Sequence, residues 1–141
     1  MAIELKQVTN VVGIDTHIHP TSIKLEEGRF NILLGTTLSG KTTLLRLMAG
    51  LEPPTRGEIW FKDRNVTGMA VQKRKVAMVY QQFINYPNFS VYDNIASPLK
   101  VIRMPSREIE ARVHRVAELL KIQPMLQRMP GELSGGQQQR V

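Results

Sequence analysis

Two glycines, a lysine and several hydroxyl side chains lie close together in the first third of the sequence. The stretch reads Gly35, Thr36, Thr37, Leu38, Ser39, Gly40, Lys41, Thr42 and Thr43. Glycines allow a tight turn without Cβ atoms in the way of an anion, and the loop amides then face phosphate oxygens. Lys41 would place a positive charge at the β- and γ-phosphates, and the Thr42 hydroxyl is placed to ligate Mg²⁺. These nine residues are therefore predicted to bind a nucleotide.

The segments on either side of this loop support that prediction. Phe30–Leu34 is a short apolar run, which predicts a buried parallel strand. Thr42–Ala49 contains good helix formers and is followed by Gly50, a helix stop. The alternative is a glycine turn before a core helix, but glycine frequencies of about 7% make a chance match on the order of one per cent. The order strand, loop, helix aims the helix N-terminus at the phosphates.

The composition is that of a soluble globular protein of about one domain. The 141 residues are 42% hydrophobic and 22% charged, and their net charge of +7 admits an anionic partner. The densest basic run, Lys73-Arg74-Lys75, is interpreted as a solvated loop. Because the sequence has no cysteine, no apolar run of about 18 residues and no signal peptide, a soluble cytoplasmic protein is expected.

Two periodicities divide the rest of the chain. Alternation of apolar and polar residues predicts strands at Ile3–Val8 and Ile18–Leu25, and Glu58 to Phe61 starts another. The turn signal Lys62-Asp63-Arg64-Asn65 follows, and the apolar run Val76–Tyr80 predicts a second buried strand.

From about Tyr86 the pattern becomes helical. Val91–Val101 predicts a short helix that Pro98 interrupts, and Ser106 is expected to cap a stronger helix running to about Ile122. Five apolar residues at helical spacing form one stripe on that second helix: Ile109, Val113, Val116, Ala117 and Leu120.

A second glycine-containing motif lies at the end of the sequence. It reads Leu133, Ser134, Gly135, Gly136 and Gln137. Ser134 is a natural N-cap, and the glycines beside it expose backbone amides at a helix start, which is a second candidate anion site. Taken alone, the motif is better explained as a capped surface helix.

With both motifs present, the sequence resembles the ATP-binding-cassette (ABC) ATPases, over essentially all 141 residues. The resemblance implies an α/β phosphate-loop NTPase fold with an N-terminal antiparallel β part and a helical subdomain, the C-terminal part of the core sheet being missing. It implies one incomplete domain in three parts: a β part and loop core at 1–85, a helical subdomain at 86–132, and the signature with the start of a helix at 133–141.

The resemblance also assigns roles to single residues. The signature, Leu133 to Gln137, would contact the γ-phosphate of ATP held by a second ATPase subunit, so that two domains sandwich two ATPs head to tail. Gln81 matches the catalytic-site glutamine that contacts Mg²⁺ and links the core to the helical subdomain. Gln82 is its neighbour, but the spacing to Tyr86-Pro87 favours Gln81.

Finer features resemble importers of carbohydrates and polyols. The segment from Tyr86 to Ile95 looks like the region that receives a coupling helix of a membrane permease, although its aromatics could also be ordinary packing residues. The Thr-Leu-Ser sequence inside the loop looks like that of glycerol-type importers. An ATPase at the inner face of the membrane is implied, served by permease subunits and indirectly by a solute-binding protein, with no nucleic acid expected.

Three departures from the family pattern qualify these expectations. The aromatic residue that usually stacks on adenine would fall on Val12, and no aromatic residue lies between Met1 and Arg29, so we expect only modest discrimination between ATP and GTP. Leu38 occupies a position usually given to a small residue. The sequence stops at Val141, before the family's Mg²⁺-binding Asp, catalytic Glu and switch His.

Two other functions are open, one because of the third departure and the other because of the net charge. The 1–141 chain by itself is expected to be marginally stable and to hydrolyse ATP negligibly, which is compatible with a non-catalytic nucleotide-binding module. The net positive charge also allows a nucleic-acid-associated ABC ATPase.

Overall fold

The chain divides into two compact units, Met1–Met78 and Val79–Val141. The structure is a computed structural model that describes residues 3–141. Each unit has its own hydrophobic core, one built on a sheet and the other on helices.

Four strands in the described part of the first unit form one antiparallel sheet. They are β1 (Ile3–Val12), β2 (Asp15–Leu25), β3 (Arg56–Phe61) and β4 (Arg64–Asn65), in the order β2-β1-β3-β4. The three longer strands confirm the predicted ones, because alternating apolar residues turn one sheet face to the core. β2 starts three residues earlier than predicted, and β4 occupies the second half of the predicted turn.

The register of the sheet brings the start of β2 beside the end of β1. Val12 pairs with Asp15 and Val11 with Thr16, so the hairpin closes tightly, and Ile3 pairs with Leu25 at its other end. On the opposite side of β1, Leu5 pairs with Ile59.

Helix α1 (Lys41–Ala49) packs its apolar face against this sheet. The shared core consists of Leu5, Val8, Ile18, Leu44, Leu47, Met48, Ile59 and Val66. The helix ends as predicted at Gly50, whose φ of 79° is left-handed and whose N–H donates to the Leu47 carbonyl at 3.1 Å.

The side chain of Arg74 packs at the C-terminal end of α1. The prediction that Lys73-Arg74-Lys75 is a solvated loop is therefore wrong for Arg74. Its side chain is only 6% exposed. The guanidinium donates to the carbonyls of Met48 at 3.1 Å, Val66 at 2.7 Å and Met69 at 3.0 Å. Because these carbonyls satisfy the buried charge, no carboxylate is needed beside it.

The two predicted buried strands, Phe30–Leu34 and Val76–Tyr80, are wrong for this structure. Neither segment is a strand, and the side chains of Phe30, Leu34 and Val79 are largely exposed. An apolar run becomes a buried strand only where neighbouring strands supply its hydrogen bonds. The strand pairing of residues 3–141 is confined to the antiparallel sheet, which includes neither segment.

The second unit is helical, as predicted. It contains α2 (Val91–Val101), α3 (Ser106–Leu119) and the short α4 (Gly135–Gln138), with 3₁₀ turns at Gln123–Met125 and Pro130–Glu132. Eight buried residues form its core: Val91, Ala96, Ile109, Val113, Ala117, Ile122, Leu126 and Leu133.

The bounds of α3 correct one prediction. The residue at its N-cap is Pro105, with no side-chain hydrogen bond, so Ser106 is the first helical residue and not the cap. The helix ends at Leu119, three residues before the predicted end at Ile122. The Ile122 N–H donates to the Ala117 carbonyl at 2.8 Å, in the turn that follows the helix. Three residues of the predicted stripe, Ile109, Val113 and Ala117, are buried.

Helix α2 continues through Pro98 because of a neighbouring serine. Proline has no N–H, so the Asn94 carbonyl four residues earlier loses its helical partner. The Ser97 hydroxyl donates to that carbonyl at 2.9 Å instead. At the start of α2, the Ser90 Oγ accepts from the Asp93 N–H at 3.1 Å, which is a regular N-cap.

Candidate nucleotide-binding site

The predicted phosphate loop folds around the ammonium group of its own lysine. Lys41 Nζ donates to the Gly35 carbonyl at 2.8 Å, to the Thr36 carbonyl and to the Ser39 hydroxyl at 3.3 Å. The Ser39 N–H also donates to the Thr36 carbonyl at 3.3 Å, which closes a turn. The loop thus holds a positive charge at the start of α1.

Gly40 is required at its position by both conformation and space. Its φ is 82°, in the left-handed region, where it caps α1. A Cβ atom there would lie 2.6 Å from Ile18 Cδ1 and 3.1 Å from the His17 carbonyl oxygen. Because Gly40 has no Cβ atom, strand β2 can pack in direct contact with the loop.

Leu38 adopts a backbone conformation that leucine seldom takes. Its φ is 66° and its side chain is fully exposed. A left-handed residue with a Cβ costs roughly 1–2 kcal/mol. A glycine at this position would avoid that cost, because it has no Cβ atom. The leucine that replaces the usual small residue is therefore held in an unfavourable backbone conformation.

An open cavity of about 550 Å³ lies over the loop and the first turn of α1. Seven predicted residues line it: Thr37, Leu38, Ser39, Gly40, Lys41, Thr42 and Thr43. Gly35 and Thr36 do not line it; their carbonyls hold Lys41 instead. The structure therefore brings the nine predicted residues together, seven as lining and two as supports.

Two further residues line this cavity, Thr16 and His17 at the beginning of β2. Both residues lie outside the stretch that is predicted to bind the nucleotide, Gly35 to Thr43. Their position beside the loop depends on the contact of β2 with Gly40, which is made by His17 and Ile18, more than 20 residues before Gly40, and leaves no local sequence signal.

The cavity is built for an anion. Lys41 is the one lysine among the described lining residues, which include no arginine, aspartate or glutamate. The amides of the first helical turn have no acceptor inside the helix, and the helix dipole adds positive potential at the same end. Hydroxyls of Ser39, Thr42 and Thr43 complete a lining typical of a phosphate site.

Val12, where the family's adenine-stacking aromatic would fall, does not line the cavity. It is paired with Asp15 at the hairpin end and is 54% exposed.

The segment around Gln81 and the signature motif meet in the second unit. Gln81 is exposed, and its neighbours hold the signature region: Tyr80 accepts from Gln139 Nε2 at 3.0 Å, and Asn85 Nδ2 donates to the Gln138 carbonyl at 3.1 Å. Phe83 packs at Gly135, where a Cβ atom would lie 3.3 Å from its Cζ. More than 50 residues of sequence separate these partners, so no local pattern predicts the contacts.

The signature itself combines a buried anchor with exposed polar groups. Leu133 is buried in the helical core, whereas Ser134, Gly135 and Gly136 are exposed. The Ser134 N–H donates to Gln137 Oε1 at 2.8 Å, so the glutamine side chain turns back over the start of α4.

Within residues 3–141, no group of three or more His, Cys, Asp or Glu side chains is arranged to hold a metal ion. Within the same range, every helix is too short or too polar to cross a membrane.

Comparison with known proteins agrees with the geometry of the loop. Residues 18–141 match the ABC transporter family model. The trehalose/maltose import ATP-binding protein MalK of Thermococcus litoralis is 47% identical over 145 residues, covering 99% of this chain and 39% of that protein. The sn-glycerol-3-phosphate import ATP-binding protein UgpC of Ralstonia nicotianae is 43% identical over 124 residues, covering 88% of this chain and 34% of that protein.

A third relative has a different solute in its name. The Fe(3+) ions import ATP-binding protein FbpC of Vibrio cholerae is 39% identical over 137 residues, covering 97% of this chain and 39% of that protein. The chain thus spans between about a third and two fifths of the length of these relatives.

Among solved structures, the ATP-binding cassette MJ0796, in a dimeric post-hydrolysis state with ADP and Pi, shares the fold. It superposes with a TM-score of 0.85 and 27% identity, over 98% of this chain and 66% of that one. The predicted phosphate-loop fold, with an N-terminal antiparallel β part followed by helices, is thereby confirmed. With the family model matched over residues 18–141 and the fold shared with a cassette of known structure, the chain belongs to the ABC transporter family.

Proposed function

We propose that this chain is the nucleotide-binding part of an ABC importer ATPase, a subunit that couples ATP binding and hydrolysis to solute uptake. The observation that carries the proposal is the loop itself. Lys41 Nζ is held by the Gly35 carbonyl at 2.8 Å at the edge of an anion-suited cavity, directly at the N-terminus of α1. A bound triphosphate would take over these lysine contacts.

The residues of the cavity divide the work of nucleotide binding. Loop amides and Lys41 neutralise the phosphate charge, and the exposed Thr42 hydroxyl, a hard oxygen donor lining the cavity, suits Mg²⁺. When bound there, Mg²⁺ would supply positive charge that offsets the charge of the phosphates. Gln81 is proposed as the residue of the second unit that senses the metal and the γ-phosphate.

The signature residues, Leu133 to Gln137, are proposed to serve the nucleotide of a second ATPase subunit. Their support is the family resemblance, the exposure of Ser134 and both glycines, and the dimeric state of the solved relative. Hydrolysis is proposed for the whole subunit, because the family's water-activating Glu and switch His match nothing in residues 1–141.

The second unit offers a surface for a permease. An open groove of about 710 Å³ is lined by Tyr86, Phe89, Asp93, Ser97, Pro98, Lys100 and Val101. The rings of Tyr86 and Phe89 form a pair with centroids 5.2 Å apart, and both are exposed. An exposed aromatic groove with a polar rim is suited to a partner helix, so we propose that the coupling helix of the permease docks here. The subunit would then lie on the inner face of the membrane as a peripheral protein.

The solute is proposed to be a sugar or a polyol. Relatives named for trehalose/maltose and for sn-glycerol-3-phosphate support this class, although a relative named for Fe(3+) ions is also similar. The Thr-Leu-Ser sequence of the loop favours a glycerol-type polyol within it.

The test uses the full gene product and its Lys41→Ala variant. Removing the loop ammonium takes away charge-assisted bonds of about 1.5–3 kcal/mol each, so MgATP affinity should fall on the order of 10- to 100-fold. Lys73→Ala, which removes an exposed lysine outside the cavity, should bind like the wild type. Equal affinity of wild type and Lys41→Ala would contradict the proposal.

Transport is tested in the source cells. Deletion of the gene should abolish uptake of one labelled sugar or polyol, and wild type but not Lys41→Ala should restore it. Unchanged uptake across a panel of sugars and polyols would reject this solute class and leave nucleotide binding as a separate result.

A further inference from the structure

The exposed residues of the signature lie between two fixed points of the second unit. Leu133, at the start of the motif, is 6% exposed and belongs to the helical core. Just after the motif, the Gln138 carbonyl accepts a hydrogen bond from Asn85 Nδ2 at 3.1 Å, in addition to one from the Val141 N–H at 3.2 Å. The orientation of the exposed groups therefore depends on both points.

Contacts from outside the helix matter here because α4 is very short. It comprises the four residues Gly135–Gln138, whereas isolated helices shorter than about 12–15 residues are marginally stable in water. A second hydrogen bond, from Gln139 Nε2 to the Tyr80 carbonyl at 3.0 Å, joins the residue after α4 to the same segment that contains Asn85. This segment therefore holds the C-terminal end of the helix that carries the signature.

Asn85 is itself placed by helix α2. The backbone of the next residue, Tyr86, is bonded on both sides by one side chain of the first turn of α2. The Tyr86 N–H donates to Asn94 Oδ1 at 2.7 Å, and its carbonyl accepts from Asn94 Nδ2 at 3.1 Å. Asn85 is half-buried, whereas the four residues before it are exposed. A side chain fixed in this way can set the position of the short helix that it contacts.

We propose that Asn85 is a positioning residue that orients the signature toward the nucleotide of the second subunit. The proposal rests on the proposed function, in which Leu133 to Gln137 serve that nucleotide. Without the Asn85 donor, the productive orientation is populated only part of the time, and the apparent affinity between subunits falls by that fraction. Binding of nucleotide by the phosphate loop of the same chain should not depend on Asn85.

The test uses Asn85→Asp in the full gene product. The substitution keeps the size of the side chain and removes the N–H that bonds the Gln138 carbonyl. Affinity of the monomer for MgATP should stay within about twofold of the wild type, whereas dimerisation with a non-hydrolysable ATP analogue, measured by sedimentation, should weaken on the order of 10-fold. Asn88→Asp, the same change at an exposed asparagine three residues further on, is the matched control and should dimerise like the wild type.

Mixtures of variants distinguish positioning from a loss of stability. Lys41→Ala removes the function of the loop in its own chain, and Ser134→Arg removes that of the signature. Asn85→Asp mixed with Lys41→Ala retains one intact site, made by the loop of the first and the signature of the second, so its heterodimers should be as stable as those of Ser134→Arg with Lys41→Ala. Asn85→Asp mixed with Ser134→Arg retains only a site with the displaced signature and should dimerise about 10-fold more weakly.

Other outcomes overturn the proposal in distinguishable ways. Unchanged dimerisation of Asn85→Asp rejects the role of Asn85 and keeps the proposed function. Equal weakening in both mixtures would show that Asn85 only stabilises the second unit. The opposite ranking of the two mixtures would assign Asn85 to the loop of its own chain.

Two further results are decided separately. If the new carboxylate prevents folding, Asn85→Ala removes the same donor without adding charge and should give the same ranking of the mixtures. A wild type that binds no MgATP rejects the proposed function. A wild type that binds MgATP and does not dimerise with the analogue rejects the role of the signature, and the role of Asn85 with it.

Discussion

At the scale of single residues, two neighbouring positions shape the candidate nucleotide-binding site. Gly40 allows β2 to contact the loop, and the ammonium group of Lys41 hydrogen-bonds to the loop carbonyls. Both were predictable, because the spacing of a phosphate loop specifies residue types directly. The hydrogen bonds of Arg74 and the place of His17 in the cavity lining were not, because they arise from contacts between segments that are distant in sequence.

Arg74 should be a major contributor to the stability of the first unit. Arg74→Met removes four hydrogen bonds, to the carbonyls of Leu47, Met48, Val66 and Met69. Hydrogen bonds to charged groups contribute about 1.5–3 kcal/mol each, so we expect a loss of roughly 3 kcal/mol in the free energy of unfolding.

Urea unfolding of the full gene product measures this loss. Lys73→Met, a change at the exposed neighbour, should alter stability by less than about 0.5 kcal/mol. If both variants unfold at the wild-type urea concentration, the hydrogen bonds of Arg74 do not stabilise the native state.

At the scale of elements, local patterns were reliable where the element completes its own hydrogen bonds. The helices α1 and α2 and the antiparallel strands β1 to β3 follow from periodicity and stop signals. Phe30–Leu34 and Val76–Tyr80 do not form strands, because a strand depends on partners that its own sequence does not contain. The N-cap of α3 is Pro105, one residue before the serine, because the ψ of Pro105, 138°, is not helical and the helical conformation begins only at Ser106.

Ser97 should be the residue that lets α2 continue through Pro98. Ser97→Ala leaves the Asn94 carbonyl without the donor that lies at 2.9 Å, which should cost about 1 kcal/mol. Thermal and urea unfolding measure the loss. Ser106→Ala is the control, since Ser106 is an exposed helical serine without a capping role, and an equal loss in both variants would contradict the prediction.

The N-terminal turn of α2 should make stability depend on pH in the acid range. Hydrogen bonds from Lys100 and then from Ser90 hold the pKa of Asp93 below its ordinary value of 3.8. A carboxyl whose folded pKa is lowered contributes stability above its unfolded pKa, and this contribution is lost as the pH falls through the folded pKa.

The size of this contribution is limited by exposure. The side chains of Asp93 and Lys100 are 41% and 53% exposed, and surface pairs contribute about 0–1 kcal/mol. Asp93→Asn should therefore be slightly less stable than the wild type at pH 7, and the difference should disappear as the pH falls through the lowered folded pKa of Asp93. Urea midpoints across this range measure it, and a difference that persists at low pH would contradict the assignment.

At the scale of the whole molecule, each ATP is proposed to be bound between two subunits. The phosphate loop of one subunit and the signature of the other would contact the same nucleotide. The first unit carries the loop with Lys41, and the second carries the exposed Ser134 of the signature. If ATP is held by the loop of one subunit and the signature of the other, each function can be removed separately and restored by mixing. Neither sequence pattern nor the fold of one chain could establish this pairing, because it is a property of two copies.

The mixing experiment compares Lys41→Ala with Ser134→Arg in the full gene product, using a non-hydrolysable ATP analogue and sedimentation to measure dimers. Lys41→Ala should fail to dimerise because it binds nucleotide weakly, whereas Ser134→Arg should bind nucleotide normally and fail because the arginine blocks the signature. A mixture retains one intact site, made by the loop of the Ser134→Arg chain and the signature of the Lys41→Ala chain, so heterodimers should appear with the analogue. Ser106→Arg, at an exposed serine outside the motif, should dimerise like the wild type. Dimers of Ser134→Arg alone, or none in the mixture, would show that the signature does not complete the partner's site.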